Sequence, residues 1–410
     1  MSFAIGLTCI SCGRTQKIEG MQYVCPDCGG NLDVEYDYEA VARRLTRESL
    51  ARDDDRSVWR YWDLLPLRDR SHVMPIQIGW TPLYPVRRLG RKLGMEKLYL
   101  KDDGRNPSAS FKDRASSVAV GKALELGFSV IAGASTGNAA SSTACLCASL
   151  GISPTIFVPK AAPKAKIAQL LVFGARVFAV DGSYDDAFDL CTEVCREYGW
   201  YNRNTGYNPY TREGKKTVSY EICEQLGWNP PDAVLVPVGD GNIISGVWKG
   251  FKDLLAVGLI DRLPRIIAVQ SEKSGAIVDA LPAGREIRPV AATTIADSIS
   301  VDLPRDGAAA VRAVRESGGT GVLVGDESIL EAIVEIARGA GVFAEPAGAT
   351  AYAGLKKLRE TGGVGPGETV VFLVTGNGLK DVQSAMKAVG EPTPMAPSLE
   401  RFKEYMSKEG

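Results

Sequence analysis

Between residues 97 and 198 the chain alternates short apolar runs with stretches whose apolar residues recur at helical spacing. Residues 97–101, 130–134, 155–158 and 176–180 read as strands, because each is a brief run rich in Leu, Val, Ile, Tyr or Phe. Ala115, Val118, Ala119, Ala123 and Leu126 share one helical face, and Gly127 closes that helix. Further helices are predicted over 139–150, 164–173 and 184–198, each followed by a glycine: Gly151, Gly174 and Gly199. Strand-helix alternation with glycine stops implies parallel sheet covered by helices on both faces. After a Gly/Asn/Tyr-rich crossing at 199–216 the alternation resumes, with strands predicted at 233–238, 266–270 and 370–374. The expected class is α/β, with two doubly wound α/β domains and a cleft between them.

The ends read differently. Residues 1–36 form a separate small module with two Cys-x-x-Cys pairs. Residues 37–75 mix Arg and Asp with Trp59, Tyr61 and Trp62, and read as a solvated helical connector. The expected division is 37–125 with 217–390 as a large domain, 126–216 as a smaller one, and 391–410 as a tail. Within that tail Leu399, Phe402 and Met406 suggest one short docking helix.

Composition narrows the function classes. The 410 residues are 45 % hydrophobic and 24 % charged, as in ordinary globular proteins. A formal charge of −1 provides no net field for nucleic acid or an anionic membrane. No run approaches the ~20 apolar residues of a membrane span, and the first residues lack a secretory pattern. A cytoplasmic protein is expected. Nine cysteines, an odd number, then favour free thiols and a metal site over disulfides.

Cys9, Cys12, Cys25 and Cys28 are two thiol pairs separated by twelve residues, a spacing that suits tetrahedral zinc. Four thiolates close the coordination sphere, so the expected metal is structural, and it stabilises a module too small for its own core. Unligated thiols are the alternative. Cys191 and Cys195 are helix-spaced and read as core residues.

Four polar turns fall at predicted strand ends or helix starts. Asn106-Pro-Ser-Ala-Ser-Phe-Lys-Asp-Arg114 sets Lys112 where a loop feeds a helix, beside the apolar Phe111. A lysine there is ordinarily a solvated charge, whereas a Schiff-base lysine must be partly desolvated. Ser135-Thr-Gly-Asn138 offers hydroxyls, an amide and helix-terminal N–H groups, suited to a carboxylate. The loop Gly239-Asp-Gly-Asn-Ile243 lets backbone N–H groups close around a phosphate. Thr375-Gly-Asn-Gly378 puts a hydroxyl at a strand's C-terminal end, the edge where ligands of open α/β sheets gather. Each turn alone is weak, but the set converges on one edge.

In their order and spacing, Ser110-Phe-Lys-Asp-Arg114, Ser135-Thr-Gly-Asn-Ala139, the 239–243 loop and Thr375-Gly-Asn-Gly-Leu-Lys380 resemble threonine synthase. That family has the tryptophan-synthase-β-like fold and uses pyridoxal phosphate (PLP). The cysteine pairs resemble the zinc ribbon of some members. The resemblance implies Lys112 as the Schiff-base lysine and Asn138 on the cofactor's 3′-oxygen. It further implies Gly239, Asp240, Gly241, Asn242 and Ile243 as the phosphate cradle, and Thr375 at the pyridine nitrogen. Ser135 and Thr136 are implied for the substrate carboxylate, and Asn208 and Arg212 for the substrate phosphate, with Arg212 in a surface ion pair as the alternative. Glu345 before Pro346 is assigned to the start of a helix. Two departures stand out. Asn377 replaces a histidine common in relatives, and the 239–243 loop is one residue short.

The implied reaction converts O-phosphohomoserine and water to threonine and phosphate, in a homodimer acting on a small molecule and not on nucleic acid. Two other PLP reactions stay open: cysteate synthase chemistry on O-phosphoserine and sulfite, and threonine or serine dehydration. A binding module with a silent body is the rival from outside enzymology.

Overall fold

The computed structural model describes residues 2–409 apart from Thr136, Ala161, Pro163 and Gly284. The N-terminal module is a three-stranded antiparallel ribbon of β1 (Ala4–Cys9), β2 (Thr15–Gln16) and β3 (Leu32–Tyr36), with β1 in the middle. Next along the chain come β4 (Leu83–Pro85), β5 (Leu98–Asp102), β6 (Ile131–Ala134), β7 (Thr155–Pro159), β8 (Arg176–Val180) and β9 (Tyr201–Asn202). They are followed by β10 (Ala233–Pro237), β11 (Arg265–Ser271), β12 (Gly321–Val324) and β13 (Val370–Val374).

These strands form two sheets. The larger has the order β12-β11-β10-β13-β5-β4 and is parallel except for β4. The smaller, β8-β7-β6-β9, is wholly parallel. Central strands β10 and β13 are buried at every position, which explains why they read as unbroken apolar runs. Their side chains still alternate between two cores. Val234, Val236, Val371 and Leu373 face one, and Leu235, Val370, Phe372 and Val374 face the other. Each such buried side chain contributes about 1.5–3 kcal/mol. Strand β8, at the edge of the small sheet, is mostly exposed.

Five helices position the site, and a sixth lies in the tail. They are α1 (Lys112–Glu125), α2 (Asn138–Ser149), α3 (Tyr210–Lys215), α4 (Asn242–Ala256), α5 (Pro346–Glu360) and α6 (Leu399–Glu409). Helices α1 and α3 pack very closely, because a side-chain carbon at Gly214 would overlap the Arg114 carbonyl oxygen. Cys191 and Cys195 are buried, as expected of core thiols.

Two expectations fail. The 37–75 connector is not a solvated one, since Trp59, Arg60, Tyr61 and Leu64 are buried. Arg60 is accommodated by Glu224 at 2.6 Å and by the Trp80 ring, 4.8 Å from its guanidinium carbon. The helix at the tail does form, yet Leu399, Phe402 and Met406 stay 64 %, 51 % and 50 % exposed, so it does not dock on this chain. No helix among the described residues is long and apolar enough to cross a membrane.

Candidate active site

Lys112 begins α1 at the end of a tightly wound loop. Asp113 folds that loop back on itself, accepting from the Ser108 N–H at 2.7 Å and the Ser108 hydroxyl at 2.6 Å. Ala109 adopts a left-handed φ of 62°, which costs a non-glycine residue about 1–3 kcal/mol. The strain is held by backbone pairing with the loop after β13. Phe111 N–H donates to the Thr375 carbonyl at 2.8 Å, and Asn377 N–H to the Ala109 carbonyl at 3.1 Å. Beneath the loop the buried Arg114 guanidinium is clamped by Asp103 and Glu221. Lys112 therefore projects from a rigid base.

Its amine faces a cleft of about 330 Å³ lined by Ser135, Asn138, Tyr184, Thr205, Asp240, Asp297 and Ser298, among others. A smaller adjoining chamber is lined by Lys112, Thr205, Lys215, Ser298 and the 237–244 segment. Lys112 is half-buried. Desolvation pushes its ammonium below the usual lysine range, and the carboxylates of Glu345 and Asp240 oppose that shift. Loss of water thus enlarges the neutral fraction of the amine, the form that attacks an aldehyde.

Several predicted residues meet at this cleft. Lys112, Ser135, Asn138 and Asp240 line the larger space, and Gly239, Asp240, Gly241, Asn242 and Ile243 line the chamber. Gly241 has φ 88°, and a side chain there would strike the Asp306 carbonyl at 2.8 Å. This glycine lets the loop turn into α4, whose first N–H groups have no partner within the helix. Asp240 accepts from Arg305 N–H at 3.3 Å, while burial pushes its carboxyl up. Thr375 is buried at the C-terminal end of β13. Thr136 lies outside the described residues.

Asn138 tests the fit to a cofactor. Its amide nitrogen donates to Glu345 Oε1 at 2.7 Å and Ser298 Oγ at 3.2 Å, while its Oδ1 is buried without a hydrogen-bond partner. An orphan amide oxygen, an N–H-rich glycine turn and a desolvated lysine around one cleft fit PLP.

Asn208 and Arg212 do not join this set. Asn208 is fully buried and donates to the Asn202 carbonyl at 2.8 Å while accepting from Tyr210 N–H at 2.9 Å. Arg212 clasps Asp306 through one nitrogen at 2.6 and 2.8 Å, and Asp33 of the ribbon at 3.0 Å. It is an internal brace, neither a free phosphate ligand nor a surface ion pair. Glu345, read from sequence as a helix start, does precede α5, but its buried carboxylate also grips Asn138. Burial pushes that carboxyl up, against the pull of Lys380, Lys166 and Lys112. Sequence reasoning missed Lys215, which lines the chamber, and Asp306, which lies behind it and accepts from the Asn242 amide. Nothing in a Gly-Lys-Lys-Thr run or a lone Asp signals them.

A larger groove of about 570 Å³ lies elsewhere, on Phe3, Arg44, Asp53, Arg60, Trp62 and Arg70. Its Arg44 and Arg60 pair with Asp63 and Glu224.

In the ribbon, the sulfurs of Cys9, Cys12, Cys25 and Cys28 lie within 4.8 Å of one another. Cys9 and Cys28 approach to 3.4 Å, and Cys12 and Cys25 to 3.7 Å. Four converging thiols are compatible with a structural zinc ion.

Comparison with known proteins bears on the family and the fold. Residues 75–376 match the family described as pyridoxal-phosphate dependent enzyme. The chain is 41 % identical to threonine synthase of Methanocaldococcus jannaschii over 94 % of its own length and 95 % of the relative's. It is 40 % identical to threonine synthase of Methanosarcina acetivorans over 97 % and 98 % of the two chains. Among solved structures, diaminopropionate ammonia lyase from Escherichia coli superposes with a TM-score of 0.66 at 19 % identity, covering 78 % of this chain and 89 % of that one. Processed threonine deaminase isoform 2 from Solanum lycopersicum gives 0.65 at 23 % identity, covering 76 % and 88 %. These last two share the fold. The chain belongs to the pyridoxal-phosphate dependent enzymes and, within them, to the threonine synthase family.

Proposed function

We propose that this chain converts O-phosphohomoserine and water to L-threonine and inorganic phosphate, with Lys112 as the attachment point of PLP and the principal proton carrier. The observation that carries this reading is the desolvated Lys112 amine facing Asn138, Ser135 and the Gly239–Ile243 turn across one cleft. When bound, the cofactor supplies an electron sink that makes substrate C–H bonds acidic. The chain supplies the rest.

Lys112, its neutral fraction enlarged by desolvation, would take protons from Cα and then Cβ of the substrate, so that phosphate leaves Cγ with the C–O electron pair. Protons would then return to Cγ and Cα, while water adds its hydroxyl at Cβ and gives its remaining proton to the phosphate. Glu345 fixes the Asn138 amide, so that its orphan Oδ1 edge stays turned to the ligand. Residues 239–243 hold the cofactor phosphate, and the Thr375 hydroxyl meets the ring nitrogen without demanding that it carry a proton. Ser135, Thr136 and the start of α2 hold the substrate carboxylate. Asn208 and Arg212 take no direct part; Arg212 acts by steadying Asp306, which in turn accepts from the Asn242 amide at 2.6 Å. The proposal includes a homodimer in the cytoplasm, which sedimentation and fractionation test.

The deciding measurement is phosphate and threonine formation from O-phosphohomoserine, set against cysteate formation from O-phosphoserine with sulfite. Threonine production that vanishes in Lys112→Ala supports the reading. Turnover of phosphoserine with sulfite, and none of phosphohomoserine, replaces it with the cysteate reaction.

A further inference from the structure

Buried lysines in this protein come with carboxylates. Lys101 has Glu221 at 2.7 Å, Lys122 has Glu125 at 2.6 Å, and Lys249 has both Asp33 and Glu213 at 2.7 Å. Lys216 has Glu213 and Asp253, each at 2.7 Å. Lys215 breaks the pattern. It is fully buried at the end of α3, and its one side-chain hydrogen bond among the described residues is to Asn242 Oδ1 at 2.5 Å. An ammonium enclosed without a counter-ion is costly, so such a group either loses its proton or awaits an anion.

Its surroundings favour an anion. Lys215 lines the small chamber together with Lys112, Thr205 and the 239–243 turn. Arg203, also buried, makes its side-chain bonds to the hydroxyls of Ser116 and Thr205 and to no carboxylate. Two cationic side chains, Lys112 and Lys215, thus line a chamber formed by a glycine turn and a helix N-terminus, and the charge of Arg203 acts on both. Two acids lie near: Asp306 is already taken by Arg212, and Asp240, on the same chamber, accepts from Arg305 N–H and forms no ion pair with Lys215. Asn242 is oriented for its part, with its nitrogen on Asp306 at 2.6 Å and its oxygen on Lys215. Gly246 clears the approach, since a side-chain carbon there would sit 2.8 Å from Lys215 Cβ.

We propose that Lys215 is a direct cationic ligand of the cofactor's 5′-phosphate, acting beside the N–H groups of the 239–243 turn and steered by Asn242. This rests on the reading of that turn as the phosphate cradle. The test is a titration of cofactor-free protein with PLP and, separately, with pyridoxal, which lacks the phosphate. Lys215→Gln is expected to weaken PLP about tenfold or more, the worth of one charge-assisted hydrogen bond, and to leave pyridoxal within about twofold. Lys215→Arg, which keeps the charge, is expected to recover most of the loss. Equal weakening of both ligands, or no weakening of PLP, overturns the assignment. Where no substituted chain folds, amine-directed labelling of wild-type protein decides. Protection of Lys215 by inorganic phosphate supports the proposal, and equal labelling with and without phosphate overturns it. A wild type that prefers PLP to pyridoxal while Lys215→Gln keeps that preference defeats this proposal alone. A wild type that binds neither, with no borohydride-fixed label on Lys112, defeats the cradle reading beneath it.

Discussion

The thiol cluster of the ribbon and the Lys112 cleft are both gatherings of polar groups, built by opposite means. The ribbon draws its ligands from Cys9 to Cys28 and shapes them with local turns, Gly13 N–H to the Cys9 carbonyl at 3.0 Å and Gly29 N–H to the Cys25 carbonyl at 2.9 Å. The cleft takes its groups from Lys112, Ser135, Asn138, Lys215 and Asp240, with Glu345 behind Asn138, and two hydrophobic cores hold the segments together. A short-range site needs a metal to make it worth folding, whereas a long-range site is stabilised by the body that carries it. The two also touch. Asn31 of the ribbon donates to Arg305 O at 2.8 Å and Asp306 Oδ1 at 2.9 Å, and Asp306 receives Arg212, Asn242 and Ser245.

This contrast can be broken or sharpened, most forcefully by Lys112→Ala. Activity is expected to fall by at least about 10²–10⁴-fold with the fold intact, checked by product assay and circular dichroism. Next comes Cys25→Ser, or removal of metal by a chelator. The ribbon should loosen and the melting temperature drop by several degrees, while the body keeps its sheet signal. Simultaneous loss of all circular dichroism would show that ribbon and body are one cooperative unit.

Asp102, at the end of β5, gives a pH-dependent test confined to the body. Burial, then the Asp103 carboxylate, pushes its carboxyl from 3.8 up to about 6. The folded state therefore holds this proton more tightly than the unfolded one. Its contribution to stability is complete below pH 3.8 and lost as pH rises through about 6. Asp102→Asn should flatten that part of the stability profile, by about 1–3 kcal/mol between the two ends, measured by urea unfolding.

Glu345→Gln keeps the shape beside Asn138 but removes the charge, and is expected to lower turnover about tenfold through a weaker hydrogen bond. The smallest effect belongs to the junction itself. Asn31→Ala removes two hydrogen bonds to the 305–306 turn and should cost about 1–2 kcal/mol of stability. If it instead weakens PLP binding more than Glu345→Gln does, the ribbon is part of the cofactor site.

Much of the body was legible along the chain. Residues 176–180 and 370–374 were read with the boundaries they have, because parallel strands are short apolar runs between glycine stops. The loop motifs at Lys112, Ser135, Gly239 and Thr375 do lie at strand ends or helix starts, and Lys112, Ser135, Asn138 and residues 239–243 line the cleft and its chamber, whereas Thr375 does not. The resemblance to a known family supplied their roles. Strands β4, β9 and β12 went unread; β4 and β9 have only three and two residues, too few to show a periodicity.

What the sequence determined by itself was local: thiol spacing in the ribbon, apolar runs in the sheets, and turns rich in Gly, Ser and Asn. What only the tertiary structure decided was which charge faces which. Arg212, Lys215 and Lys216 lie within five residues of one another and look alike in sequence. The fold gives Arg212 an aspartate from residue 306, Lys216 one from residue 253, and Lys215 only an amide. Electrostatic partnership depends on distances of a few ångströms between segments remote in sequence, and these exist only after the layers have packed.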